Sequence, residues 1–100
     1  SGSQEDHVSM GWGAGLKLHR VLDNLARILA VEALCAVQGI EHREQKPAAA
    51  TGAVARSIRA SIPPLVDDRP LGPEIEIVAA MIESGELDVA AKEVLSGEQE

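Results

Sequence analysis

The sequence predicts an all-α protein, and three observations support this class. Apolar residues recur at three- and four-residue intervals over long stretches, the spacing that places them on one face of a helix. No run of alternating apolar and polar residues is long enough to predict a strand. Apolar residues make up 45% of the chain, yet Trp12 is its only aromatic residue. We therefore expect helices that pack closely through Ala, Leu, Val and Ile.

The first helix is predicted to be long, running from about Ala14 to Gln38 and stopping at Gly39. Its apolar stripe comprises Leu18, Val21, Leu22, Leu25, Ile28 and Leu29, and it continues through Glu32 and Cys35. Further apolar residues between Ala30 and Val37 extend this surface around most of the helix, as is typical of a buried helix. A rod of roughly 37 Å is too long for the remaining 60 residues to cover. We expect a central helix of a bundle larger than this chain.

Residues 40–100 are predicted to form short peripheral helices. A second helix is expected from Ala48 to Ile62, where two prolines follow. A third begins near Pro73, because a missing N–H costs nothing in a first turn, and ends at Ser84-Gly85. A fourth, short helix is expected from Asp88 to Leu95. Together with the long helix, these segments predict one helical unit.

Self-association is expected because these helices cannot cover the long helix. One of its faces is expected to be masked by Val54, Ile58, Ile75, Val78 and Ile82. The residues expected to remain partly open are Ala30, Val31, Leu34 and Val37. Large exposed apolar patches are rare on soluble monomers. The long helix is therefore the predicted contact between copies.

Charge and cysteine content narrow the possible functions. The net charge of −7 argues against nucleic acid and against an anionic membrane surface, which both attract clustered Lys and Arg. The single Cys35 excludes an intrachain disulfide and a cysteine-based zinc site, and His7, His19 and His42 lack metal-ligand spacing. We expect no metal, no signal peptide and a reducing, cytoplasmic compartment.

Two motifs with an apparent catalytic pattern are better explained by structure. The glycine-rich segment 11–15 has Leu16 at the position of the third glycine in a dinucleotide-binding loop, and no strand precedes it. Asp67 and Asp68 are adjacent in an extended segment, so their side chains point apart. A solvated turn with a local ion pair to Arg69 is the expected arrangement there.

The polar opening of the chain is the candidate site. Five consecutive residues, Ser3 to His7, can donate or accept hydrogen bonds or carry charge, and they precede the most apolar helix. A capping box of Ser3 with Asp6, or Ser9 as the N-cap of the long helix, would also explain this composition. Composition alone favours capping, and only the position beside a buried helix argues for a site.

A resemblance to a known family changes that balance. The string QEDHVSMGWGA, followed by KLHRVLDNLARILAVEALCAVQGIEHR, resembles the C-terminal part of the aromatic amino acid ammonia-lyases, in particular their histidine-specific members. The similarity continues through residues 65–71 to Ile75. It implies that residues 1–13 form an active-site turn, 14–39 a long core helix and 40–100 the peripheral helices. It also implies a homotetrameric parent that converts L-histidine to urocanate and ammonia.

The resemblance also implies that this chain is only part of an enzyme. The family forms its electrophile, a methylidene-imidazolone, from an internal Ala-Ser-Gly, whereas Ala60-Ser61 is followed here by Ile62. The family's tyrosine base is missing as well, because the sequence contains no Tyr. The chain alone is therefore expected to be inactive.

The resemblance assigns roles to individual residues. Glu5 matches a family position that contributes a catalytic, substrate-binding carboxylate, where phenylalanine-specific relatives usually have Gln. A carboxylate can hold an imidazole N–H or an ammonium group by a charge-assisted hydrogen bond. Gln4 is a secondary substrate contact, and Asp6 and His7 are expected to support the turn by hydrogen bonds. Glu32 is expected to be buried and paired with a basic group from the rest of the parent.

Two other interpretations remain open. The chain could be a non-catalytic helical module that mediates interaction or oligomerisation. It could also belong to a lyase or aminomutase of the same family that acts on tyrosine or phenylalanine, although Glu5 with His7 argues against this. An Ala-Ser-Gly in the upstream sequence would decide in favour of the enzyme over the non-catalytic module.

Overall fold

The chain folds into four helices, which confirms the all-α class. The computed structural model describes the backbone of residues 2–99 and the side chains of residues 11–97. The helices are α1 (Gly2–Glu41), α2 (Ala49–Arg59), α3 (Gly72–Ser84) and α4 (Glu86–Gln99), and no strand occurs within residues 2–99. Their arrangement measures 66 × 42 × 18 Å. The long dimension follows from α1, whose 40 residues extend for about 60 Å.

Helix α1 is longer than the sequence predicts. It starts at Gly2, so helix replaces the turn expected before Ala14, and it ends at Glu41 rather than at Gly39. A Cβ atom added at Gly11, Gly13 or Gly15 would meet nothing within 4 Å. These glycines weaken helix propensity, but no neighbouring element competes for this segment. Each residue added to an existing helix gains a backbone hydrogen bond, so the helix continues through them.

A single core joins the four helices. Helix α1 packs against α3, α2 packs against α4, and α3 also contacts α4. The buried side chains of this core are Ala26, Ala30, Val37, Ile58, Ile62, Val78, Ala79 and Met81. Partly buried Ala33, Leu34, Val54, Ala55, Ile75, Ile82 and Leu87 pack around them. Small side chains supply most of the α1 contribution, and alanines let two helix axes approach closely.

The face of α1 that is buried is not the one predicted. The stripe Leu18, Val21, Leu22, Leu25, Ile28 and Leu29 is 41–60% exposed. Ala30 and Val37, expected to stay partly open, are buried against the core. Glu32 is exposed on this chain, so its expected pairing with the rest of the parent stays a prediction. The 13 residues of α3 reach about 20 Å, so they cover only one side of one half of α1. The expectation that α1 has more apolar surface than this chain covers is confirmed.

The ends of the shorter helices agree with the sequence to within a few residues. Gly85 ends α3 in the left-handed conformation, with φ of 83°, and its N–H donates to the carbonyl oxygen of Ile82 at 3.2 Å. This confirms the predicted stop, because only glycine adopts positive φ without steric cost. Helix α2 ends at Arg59, three residues before the predicted end at Ile62, and α4 extends beyond both of its predicted ends.

Candidate functional site

The residues that the sequence assigns to the active site lie at the start of α1. The backbone of Gln4, Glu5, Asp6 and His7 belongs to the first two turns of this helix. Their side chains lie outside the described residues, so the roles expected for them stay predictions. Trp12, which follows them, is 73% exposed.

A cleft of about 350 Å³ lies at the other end of α1, within the size range of ligand pockets. It is bounded by the last turns of α1, the segment after α2 and the start of α3. Its walls are mainly apolar, and polar side chains stand around them. The lining comprises Leu34, Cys35, Gln38, Gly39, His42, Arg59, Ile62, Leu65, Arg69, Leu71 and Glu74.

The Gln38 side chain connects α1 to the segment between α2 and α3. Its Nε2 donates to the backbone oxygen of Leu65 at 3.1 Å, and its Oε1 accepts from the Leu65 N–H at 3.2 Å. Arg59 Nη2 donates to the same Oε1 at 3.0 Å. Two donors facing the oxygen determine which way the amide points. The Nε2 of His42 lies 3.3 Å from the amide nitrogen.

Arg59 completes this junction. Its Nε and Nη2 donate to the two carboxylate oxygens of Glu41 at 2.6 and 3.0 Å, and Nη1 donates to the backbone oxygens of Ile62 and Pro63 at 3.4 and 3.3 Å. The Arg59 side chain is only 16% exposed. The hydrogen bond from Arg59 holds the pKa of Glu41 below its ordinary value, although partial burial opposes this shift.

Arg69 closes the cleft on the α3 side. Its Nε donates to Glu74 at 2.9 Å, and its terminal nitrogens donate to the backbone oxygens of Pro63 and Pro64 at 2.7 and 3.0 Å. The expected local ion pair of Arg69 with Asp67 and Asp68 is wrong, because both aspartates are exposed and Glu74 is the partner. A bidentate guanidinium–carboxylate pair is stronger than contacts within an extended segment.

The cleft therefore lies at a junction where α1, the segment after α2 and the start of α3 are held together by hydrogen bonds. Its geometry does not make it a catalytic centre. Every N–H of Arg59 is directed at a protein acceptor, so this cation has no donor left for a substrate anion. The sequence patterns did not indicate this junction, since Gln38, Arg59 and Leu65 are far apart along the chain.

Within residues 11–97, no group of three or more His, Cys, Asp or Glu side chains is arranged to hold a metal ion. Among the helices in the described part of the chain, none is both long and apolar enough to cross a membrane.

The fold and the exposed stripe on α1 define a class: a helical segment built around one long helix. The family described as aromatic amino acid lyase matches residues 1–60. Histidine ammonia-lyase of Symbiobacterium thermophilum is 46% identical over 98 residues, which cover 97% of this chain and 19% of that enzyme. The chain belongs to the aromatic amino acid lyase family.

Two further relatives are also named histidine ammonia-lyase. Histidine ammonia-lyase of Streptomyces coelicolor is 44% identical over 96 residues, 94% of this chain and 19% of the enzyme. That of Chloroflexus aurantiacus is 40% identical over 97 residues, 91% of this chain and 18% of the enzyme. The chain thus spans about a fifth of the length of these curated relatives. No solved structure matches it.

Proposed function

We propose that this chain is the C-terminal segment of a histidine ammonia-lyase, which eliminates ammonia from L-histidine to give urocanate. One observation carries the proposal: an enzyme named histidine ammonia-lyase aligns with 97% of the chain at 46% identity. The names of these relatives favour histidine over tyrosine or phenylalanine as the substrate. We place the parent enzyme in the cytoplasm.

Within this segment, residues 1–13 contribute to the active site and Glu5 is the catalytic residue. Its carboxylate accepts a hydrogen bond from the substrate imidazole or ammonium group, and Gln4 adds a second contact. Asp6 and His7 orient these two side chains by hydrogen bonds. A charged acceptor suits a cationic or N–H-bearing substrate better than a neutral amide does. Residues 14–39 then belong to the core helix and 40–100 to the periphery.

The electrophilic group of the family must come from another part of the parent. The methylidene-imidazolone forms from Ala-Ser-Gly, and the chain contains no such tripeptide. Where it is formed, this group converts the substrate amine into a leaving group. The chain also has no Tyr to serve as the base. We therefore propose that the isolated chain is inactive.

The long helix is the proposed contact between subunits, in a homo-oligomer that the family resemblance makes a tetramer. The chain exposes 7516 Å². A compact monomer of its 10.5 kDa mass would expose about 5,400 Å². The excess of about 2,000 Å² is larger than the roughly 800 Å² per partner of a standard interface. This excess supports burial against other subunits.

The experiment is a substitution in the full-length parent. Glu5→Gln should reduce turnover of histidine by on the order of 10²-fold, the typical effect of losing one preorganised electrostatic contact. Glu93→Gln, at an exposed position on α4, is the matched control and should leave turnover unchanged. Urocanate formation and far-UV circular dichroism are measured for both.

Three outcomes would contradict the proposal. Full activity of a folded Glu5→Gln enzyme would assign Glu5 to helix capping. Faster ammonia release from tyrosine or phenylalanine than from histidine would change the substrate. Urocanate formation by the purified chain alone would disprove that it lacks the reaction centre.

A further inference from the structure

An irregular segment, residues 63–71, leads into α3 and forms one wall of the cleft. We propose that this segment is a strap that opens as one body while the four helices stay folded. Gln38 and Arg59 hold the strap closed, and its opening uncovers the α1 wall of the cleft. All of the contacts involved lie within the chain.

The strap is attached by hydrogen bonds and not by burial. None of the side chains of residues 63–71 is buried, and only Leu65, Arg69 and Leu71 are half-buried. Among the residues that the structure describes, no backbone–backbone hydrogen bond involves residues 63–70. Ile62, directly before the strap, is 1% exposed and stays anchored in the core. Opening of the strap therefore exposes little apolar surface, which makes it less costly than unfolding of a helix.

Two side chains outside the strap hold it on the helices. The Gln38 amide donates to the Leu65 carbonyl oxygen at 3.1 Å and accepts from the Leu65 N–H at 3.2 Å. Arg59 Nη1 donates to the carbonyl oxygen of Pro63 at 3.3 Å. Each such bond contributes little net stability, because water replaces it when it is broken. The closed state is therefore favoured by a small free energy, and the strap can open locally.

Contacts within the strap make it move as one body. Arg69 donates to the carbonyl oxygens of Pro63 and Pro64 at 2.7 and 3.0 Å, which joins the last part of the strap to its first part. Pro63, Pro64 and Pro70 have fixed φ angles, so the open strap has few conformations and closing it costs less entropy. Glu74 of α3 holds the same guanidinium at 2.9 Å. The strap therefore opens on the α1 side and stays attached to α3.

Opening changes which groups of the cleft are available to a ligand. The closed strap occupies the Gln38 amide and one donor of Arg59 with its own backbone. When the strap opens, these groups become available beside the apolar wall that Leu34 and Cys35 form on α1. The strap is therefore a conformational device that keeps polar groups of the cleft unavailable in the closed state.

Native-state hydrogen exchange followed by NMR distinguishes opening of the strap from unfolding of the helices. The Leu65 N–H is the probe for the strap, because Gln38 is its acceptor, and the Val78 N–H in α3 is the probe for the core. Protection of the Leu65 N–H should be at least about tenfold lower than that of the Val78 N–H. Low urea concentrations should accelerate exchange at Val78 but hardly at Leu65, because opening of the strap exposes little surface.

A substitution tests whether Gln38 holds the strap. Gln38→Met keeps the length of the side chain but removes its hydrogen bonds to Leu65, so exchange of the Leu65 N–H should accelerate about tenfold or more. Gln45→Met, at an exposed position outside the strap, is the matched control and should leave this exchange unchanged. Arg59→Lys, which loses the planar fork of donors, is a second variant that should accelerate it. Far-UV circular dichroism checks that each variant keeps its helices.

Three results would overturn the proposal. Exchange at Leu65 that depends on urea as strongly as exchange at Val78 would show that the strap opens only when the chain unfolds. Unprotected exchange of the Leu65 N–H in the unmodified chain would show that the strap is not closed. Equal exchange at Leu65 in the folded Gln38→Met and Gln45→Met variants would show that Gln38 does not hold the strap.

Discussion

Gln38 shows how one neutral side chain positions a segment of the backbone. It donates to the carbonyl oxygen of Leu65 and accepts from the N–H of the same residue, as a neighbouring strand would. An amide is suited to this position because it offers a donor and an acceptor together, whereas a carboxylate offers only acceptors and an ammonium only donors. The segment after α2 is therefore held on α1 without a regular secondary structure of its own.

Gly85 permits a prediction about the turn between α3 and α4. Gly85→Ala should lower the free energy of unfolding by about 1 kcal/mol or slightly more, because an L-residue at φ of 83° clashes with its own backbone. A steric clash with neighbouring residues is not the cause, since an added Cβ would meet nothing within 4 Å. Urea denaturation followed by circular dichroism measures the change.

The matched control is Gly39→Ala, in the last turns of α1. Its added Cβ also meets nothing within 4 Å, but its backbone is helical. Alanine should there raise the free energy of unfolding by about 0.5–1 kcal/mol through its better helix propensity. If both substitutions change the free energy in the same direction, backbone conformation is not the cause.

At the scale of elements, the two halves of α1 have different surroundings. From Ala26 to Val37 the helix packs on the core, and an ion pair of 2.8 Å joins Arg27 to Glu76 of α3. Residues 11–25 include no buried side chain. The first half therefore has little beyond local hydrogen bonds to stabilise it, and isolated helices of about this length are marginal in water.

Hydrogen exchange should show this difference within one helix. In dilute chain, amides of residues 14–25 should exchange at least tenfold faster than those of residues 30–38, because local opening there exposes no core. At high concentration, protection of residues 18–25 should rise as another copy covers the seam, which is the exposed apolar stripe of α1 from Leu18 to Leu29. Mass spectrometry of peptides from the two halves measures both effects. Equal protection in dilute chain would contradict this account of α1.

For the whole molecule, the exposed seam predicts association that a charge should weaken. Val21→Glu places a carboxylate on the seam, at a residue that is 60% exposed and so not needed by the core. The dissociation constant should increase at least tenfold, because the carboxylate loses water on association. Sedimentation across a dilution series measures it.

Val66→Glu is the matched control for this measurement. Val66 is 87% exposed and lies in the segment between α2 and α3, away from the seam. The same substitution should leave the dissociation constant unchanged. Leu34→Glu is a poorer choice, because Leu34 packs against the buried core and its loss would also affect folding. Equal weakening by both valine variants would point to net charge and not to the seam.

Part of this protein's structure can be predicted from the sequence alone. Apolar spacing determined the helical class, and the residues near Pro73 and Gly85 determined where α3 begins and ends, because helix starts and stops depend on local backbone chemistry. Glu5, by contrast, was identified as a candidate active-site residue only through the family resemblance, since the residues around it would equally suit a helix cap.

Only the tertiary structure decided which face of α1 is buried. Leu25 and Ala26 lie on two apolar stripes of one helix, and hydrophobic burial has no direction that would favour either. The choice depends on where α3 can dock, and α3 packs on the alanine side. The partners of Arg59 and Arg69 were decided in the same way. An ion pair depends on distance in space, and Glu41 and Glu74 come close to these arginines only after the helices have packed.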